Sequence, residues 1–249
     1  MDIPQDPETR FGDSRRSPRP RRRWLWSIGC MTALSAVLAL GLHDVIKRGQ
    51  EAAARAHCNL GQITLAFQNY QAEHGRLPPA VVYGDDRPLY SWRVLLLPYI
   101  EQKELYEAFH LNEPWDSAHN LRLLDRMPSL YEAPWTRQVN VPPGHTVYHV
   151  LVGPGTPFEG RSGLRLPDDF PDGTSNTLLF VEAGRPVPWT KPEEIVFDPG
   201  QPVRLRGLFR DGFRACTADG KYRFLRHDAD QAMIRAAITR NGGERAPDW

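Results

Sequence analysis

Between residues 52 and 75 the apolar positions recur with a helical period. Ala56, Leu60, Ile63, Phe67 and Tyr70 are separated by four, three, four and three residues. Such spacing draws one apolar stripe along an α-helix, suited to lying on a sheet or on another helix. Gln62, Asn69 and Glu73 fill the opposite side. Gly75 stands where a helix C-cap is expected, and Pro78-Pro79 forbids continuation. Upstream, "WLWSIGCMTALSAVLALGL", Trp24 to Leu42, is apolar all round and holds no charge over 19 residues. Nothing but Gly49 and Gly61 interrupts the helical pattern from Asp44 to His74. The pattern therefore predicts one long helix, apolar on every side in its first half and striped in its second.

Downstream the pattern shortens and changes period. Ser91 is placed as an N-cap for "WRVLLLPYIEQKELYEAF", with Pro98 breaking the run and a second helix following from about Glu101 to Phe109. "HLNEPWDSAHNLRLL" reads as a polar loop entering a short helix near Ser117, and Pro134 to Pro143 as another loop. "TVYHVLVGPG" reads as a strand closed by Gly-Pro-Gly, and Thr177 to Val181 as a strand entered through the turn residues of "PDGTSN". "FRACTADGKYRFL" alternates on both sides of Asp219-Gly220, which predicts a hairpin with a type I′ turn. Asp228 is the expected cap of a last helix, running to about Thr239 and stopped by Asn241-Gly242-Gly243. This order predicts an α+β fold with a small antiparallel sheet packed on the long N-terminal helix.

Charge gives the apolar run its meaning. Residues 1–23 carry seven Arg against four acids, whereas the remainder holds 24 Lys and Arg against 26 Asp and Glu. A basic footprint on the folded body is missing, so no nucleic-acid partner is expected. The arginines abut an apolar segment just long enough, at about 1.5 Å per residue, to cross a hydrocarbon core of roughly 30 Å. Trp24 and Trp26 stand at its basic end, where indoles favour the interface. The run exceeds a usual signal-peptide core of about 7–15 residues, so an uncleaved anchor is the expectation. Positive charge stays inside. That places residues 1–23 as a cytoplasmic tail, 24–42 as a single span of the inner membrane, 43–75 as its amphipathic continuation and 76–249 as an extracytoplasmic α+β head. The expected partners are the bilayer, through 24–42, and further subunits, through the N-terminal helix. A Cys58–Cys216 disulfide is possible in an exported body, although spacing alone does not support it.

Five stretches carry a resemblance: "CNLGQITLAFQNYQAEHGRLPPA", "SWRVLLLPYIEQKELYEAFHLNEPWDSAHN", "LVGPGTPFEG", "DGTSNTLLFVE" and "VPWTKPEE". Together, in this order, they resemble the planctomycete domain of unknown function (DUF) 1559 family, also filed as family-10 bacterial extracellular solute-binding proteins. The resemblance spans roughly Ala52 to Glu244. An anchor helix running into "NYQAEHGRLPP" also resembles the plan of type IV pilins and type II secretion pseudopilins. The resemblance implies a pseudopilin-like envelope protein with a structural or interaction role; the family's other name implies a solute-binding module. Two departures stand out. Gly29 is followed by Cys-Met-Thr-Ala with no Glu, so a prepilin-peptidase site is not legible, and Ala133 stands where relatives often carry a Cys.

Candidate chemistry is sparse. No G-x-S-x-G, P-loop, G-x-G-x-x-G, H-E-x-x-H or EF-hand loop occurs, so an enzyme is not expected and no catalytic residue is assigned. His145 and His149 lie about 13 Å apart on a strand at ~3.3 Å per residue, too far to share a metal. "NEPWDSAHN" is the best ligand candidate: Asn112, Glu113, Asp116, His119 and Asn120 gather polar groups around Trp115. Carboxylates beside an exposed aromatic suit Ca²⁺ or a sugar-like ligand. The same residues serve as turn and cap residues, and Trp115 as core. Trp189, between prolines in "VPWTKP", reads either as a surface binding turn or as a rigid connection. Glu182, inside an apolar run, has no place in any of these readings.

Overall fold

The computed structural model describes residues 22–134, 141–203, 205 and 211–244, with side chains from residue 38 onward. The chain divides into two compact units, residues 1–49 and 50–249. Helix α1, Arg22–His74, contributes to both. Most of the expected anchor, residues 24–37, therefore lies outside the residues whose side chains are described. Among the described residues no helix is long and apolar enough to cross a membrane. In the first unit, Leu38, Leu40, Leu42, Val45 and Ile46 are all exposed.

In the second unit α1 carries the predicted stripe. Ala56, Leu60, Ile63 and Phe67 are fully buried, joined by Thr64 and Ala66. Phe67 is the centre of the contact, its ring 4.8 Å from Trp92, 5.9 Å from Phe158 and 6.0 Å from Phe180. Burying side chains of this size stabilises by roughly 1.5–3 kcal/mol each. The helix ends as its sequence dictates: Gly75 adopts φ +74° and its N–H donates to the Gln71 carbonyl at 2.7 Å.

Strands β1, Val81–Gly84, and β2, Arg87–Ser91, form a hairpin that the alternation did not announce. Its two-residue turn is Asp85-Asp86, both left-handed at φ 48° and 63°. Asp tolerates this region better than most residues, but Asp-Asp lacks the glycine that marks such turns in a sequence. Ser91 then caps α2, Trp92–Leu95, its hydroxyl accepting from the Arg93 N–H. Pro98 does break the run: Leu97–Ile100 is a 3₁₀ turn, and α3 spans Lys103–Ala108. Beyond Ser117 the short helix is 3₁₀, Asn120–Arg126, followed by a second turn at Ser129–Tyr131.

The main sheet is antiparallel and confirms the α+β reading. It is built from β3, His145–His149; β5, Leu178–Pro188; β7, Gly212–Thr217; and β8, Tyr222–Arg226, in the order β3-β5-β7-β8. Two short strands, β4, Leu151–Val152, and β6, Ile195–Val196, pair in parallel beside it. One face of the main sheet, with Tyr148, Phe180 and Cys216, shares a core with α1. The other face, with Val181, Ala183, Phe213 and Ala215, packs with α4, Gln231–Ile238, through Ile234, Ala237 and Ile238.

Two local expectations are corrected. The β7–β8 connection is not type I′, because Asp219 keeps a negative φ and Gly220 alone is left-handed, at 91°. The Thr217 N–H donates to the Lys221 carbonyl, so the loop has three residues with glycine at its left-handed position. Nor does Asp228 cap α4. It is held by Arg226 through two 2.8 Å bonds, and the cap is Asp230, whose carboxylate accepts from the Ala232 N–H at 2.9 Å.

Candidate functional site

The "NEPWDSAHN" loop is organised around Asn120. Its amide is fully buried, and its Nδ2 donates to the carbonyls of His110, Glu113 and Pro114 at 3.0, 3.3 and 3.1 Å. Its Oδ1 accepts from the His110 N–H at 3.0 Å. His119 lies flat on His110, ring centroids 3.5 Å apart, and its Nε2 donates to the Ala108 carbonyl at 2.8 Å. Glu113 accepts from His110 Nδ1 at 2.9 Å. Hydrogen bonding from Ser117, then from His110, holds the Glu113 carboxyl below its usual range.

The loop therefore turns His119 and Asn120 toward its own backbone and its flank, and Glu113 toward the side chains of Ser117 and His110, whereas Asn112 and Asp116 are exposed. Trp115 is half-buried, tied by its N–H to the Leu89 carbonyl at 2.7 Å, with Lys191 Nζ 5.8 Å from its ring. Trp189 turns inward beside the loop. It is fully buried, stacked 6.0 Å from Tyr131 and edge-on at 5.8 Å to Phe109, and its Nε1 donates to the Leu124 carbonyl at 3.0 Å. Among the described residues no group of three or more His, Cys, Asp or Glu is arranged to hold a metal ion. Cys58 is exposed and Cys216 buried, both as free thiols.

A second polar cluster has no counterpart in the sequence reading. Arg93 on α2 and Glu194 before β6 form an ion pair at 2.8 Å with both side chains essentially inaccessible. Glu194 also accepts from Trp92 Nε1 at 3.0 Å and from the Val150 N–H at 2.9 Å. Arg93 donates to Ser91 Oγ at 2.6 Å and, through Nε, to the Tyr148 carbonyl at 3.0 Å. The Tyr131 hydroxyl donates to the Arg93 carbonyl, and His149 Nδ1 stands 3.6 Å from Glu194. Nearly every donor and acceptor of the pair is used, as a buried charge requires. The motifs "SWR" and "KPEE" supply both ends of the pair, yet nothing local relates positions 101 residues apart.

Glu182 is the third feature. It sits on β5 with no exposed surface, opposite Tyr148 on β3 and Arg214 on β7. Arg214 Nη1 is 3.5 Å from its carboxylate. Burial is the dominant effect and pushes the Glu182 carboxyl up to about 7, against the opposing pull of Arg214.

The "PDGTSN" turn ahead of that strand is a structural junction. The Asp172 N–H donates to the Arg240 carbonyl at 3.0 Å and its carboxylate accepts from the Gly243 N–H at 3.2 Å. The Ala218 and Asp219 N–H groups donate to the carbonyls of Thr177 and Thr174. The turn thus ties the C-terminal segment to the β7–β8 hairpin.

Among the described residues, three surface depressions illustrate where a ligand would find room. One of about 420 Å³ is lined by Val203, Leu205, Phe213, His227, Gln231 and Ile234. One of about 570 Å³ lies along Glu101–Leu105 with Glu107 and Arg126. The third, about 390 Å³, runs between α1 at Gln62 and Leu65 and the turns at Tyr99–Gln102 and Pro128–Leu130. None of the three includes Trp115, Asp116 or Trp189.

The family model described as "Protein of unknown function (DUF1559)", SBP_bac_10, matches residues 47–204. No curated protein and no solved structure matches the chain.

Proposed function

We propose that this chain, which belongs to the DUF1559 (SBP_bac_10) family, is a non-enzymatic, membrane-anchored, pseudopilin-like protein of the cell envelope. Residues 24–42 hold it in the inner membrane, residues 1–23 remain cytoplasmic, and the α+β head projects outward to meet partner subunits. The observation that carries this reading is the change of character along one helix. From Ala52 onward α1 buries a single face on the head. Between Leu38 and Ile46 it exposes Leu38, Leu40, Leu42, Val45 and Ile46, each at least half accessible. Exposed apolar surface of this kind needs lipid or another helix to cover it. The uncharged run directly upstream, with six arginines between Ser14 and Arg23, suits the first cover and orients the chain.

Membrane fractionation of the full-length chain tests the reading. The protein is expected to resist alkaline carbonate extraction, and a variant lacking residues 24–42 to move to the soluble fraction. A mature N-terminus beyond residue 39, or full-length protein released by carbonate, would overturn it. Saturable stabilisation of the head by a small solute would favour the solute-binding alternative that the family's second name implies.

A further inference from the structure

The row Tyr148–Glu182–Arg214 crosses the centre of the main sheet on the face that meets α1. Phe180, two residues before Glu182 on the same strand, stacks on Phe67 of α1, and Tyr148 packs edge-on against Phe180 at 6.4 Å. Glu182 is thus a carboxyl held beneath the helix. Arg214 approaches its carboxylate to 3.5 Å, a long ion-pair contact that only partly offsets burial. A carboxylate in that position lacks solvation, whereas a neutral carboxylic acid there loses much less.

The groups around it supply little compensation. β3 contributes the Tyr148 phenol, and β7 contributes Arg214 and the Cys216 thiol, both on the same face. α1 contributes Ala52, Ala56, Leu60, Ile63, Thr64, Ala66 and Phe67 as its buried positions, none of them charged. Glu51, Arg55 and His57 of α1 are exposed, and the His57 ring rests 5.2 Å from Tyr222 of β8. Glu182 has no exposed surface while the helix is seated. The buried positions at the N-terminal end of this contact, Ala52 and Ala56, are both small.

We propose that Glu182 is a pH-sensitive latch under α1: in its protonated form it lets the helix seat on the sheet, and on ionisation it loosens that seat. The sign follows from linkage. A carboxyl raised from 4.5 to about 7 on folding binds its proton more tightly in the seated state. Its contribution to stability is therefore greatest below the unfolded value, declines as pH rises between the two values, and levels off above about 7.

Hydrogen exchange on the full-length chain in detergent, corrected for intrinsic rates, tests the latch at pH 5.5 and pH 8.5. Protection of segments 52–67 and 178–183 is expected to fall by up to roughly thirtyfold between these two pH values, the change that the shift allows in that window. In Glu182→Gln the fall should be lost, with protection at pH 8.5 above that of the parent. Glu182→Leu, uncharged and of similar volume, serves as a second variant should the glutamine form fail to fold. A parent protein with flat protection, or a variant that keeps the same fall, would overturn the proposal.

Discussion

The guanidinium of Arg93 and the carboxylate of Glu194 meet at 2.8 Å with side chains 0% and 1% exposed. The pair ties α2 to the segment before β6 and, through the Tyr148 carbonyl and the Val150 N–H, to β3 and the residue beyond it. Removing one partner strands the other charge in the core. Glu194→Ala is therefore expected to destabilise the head by about 3–5 kcal/mol, read by chemical denaturation. Exchanging the pair for apolar residues of similar volume, Arg93→Met with Glu194→Leu, is expected to cost less than Glu194→Ala alone. Equal losses would show that the hydrogen bonds to Ser91, Trp92 and Val150 outweigh charge compensation.

Asn120 and its neighbours separate the two readings of the "NEPWDSAHN" loop. Asn120→Ala leaves the His110 N–H without its acceptor and the Glu113 carbonyl without its donor, while the His110 and Pro114 carbonyls keep the N–H groups of Glu113 and Ser117. The expected loss is about 1–3 kcal/mol, seen as a lower thermal midpoint. Asn112→Ala and Asp116→Ala, both exposed, are expected to stay within about 0.5 kcal/mol. A marked rise in the midpoint on adding Ca²⁺, abolished by Asp116→Ala, would show that the exposed carboxylate serves a ligand.

Gly163 is required by proximity, not by its torsion. A Cβ placed there would stand 1.5 Å from the Leu77 carbonyl oxygen, just where the Leu77 N–H donates to Leu164 at 2.7 Å. Gly163→Ala must displace backbone at the exit of α1 and is expected to cost more than 2 kcal/mol, in the range of overpacked sites. Gly75→Ala, left-handed but in open space, should cost about 1 kcal/mol. Urea midpoints of the two variants give the comparison.

The cap of α4 is a direct check on the corrected helix start. Asp230→Ala removes the acceptor of the Ala232 N–H and should cost about 1 kcal/mol. Asp228→Ala touches an exposed pair with Arg226 and should change the midpoint little. The reverse order would restore Asp228 as the cap.

What the sequence determined by itself was local. The stripe from Ala56 to Phe67, the stop at Gly75, the cap at Ser91, the break at Pro98 and the arms of the β7–β8 hairpin all follow from periods and turn residues within a few positions. These signals were enough for the α+β class and the helix on the sheet. Where two local cues competed, as with Asp228 and Asp230, the nearby Arg226 claimed one of them. The Asp85-Asp86 turn stayed hidden because its residues reach the left-handed region without glycine. Only the tertiary structure decided the polar interior. Glu194 finds Arg93 101 residues away, and Glu182 lies between Tyr148 and Arg214 by strand order. Trp189 loses its surface to Tyr131 and Phe109. A charged or aromatic side chain is costly or useful according to what surrounds it, and those surroundings are set by the packing of distant segments.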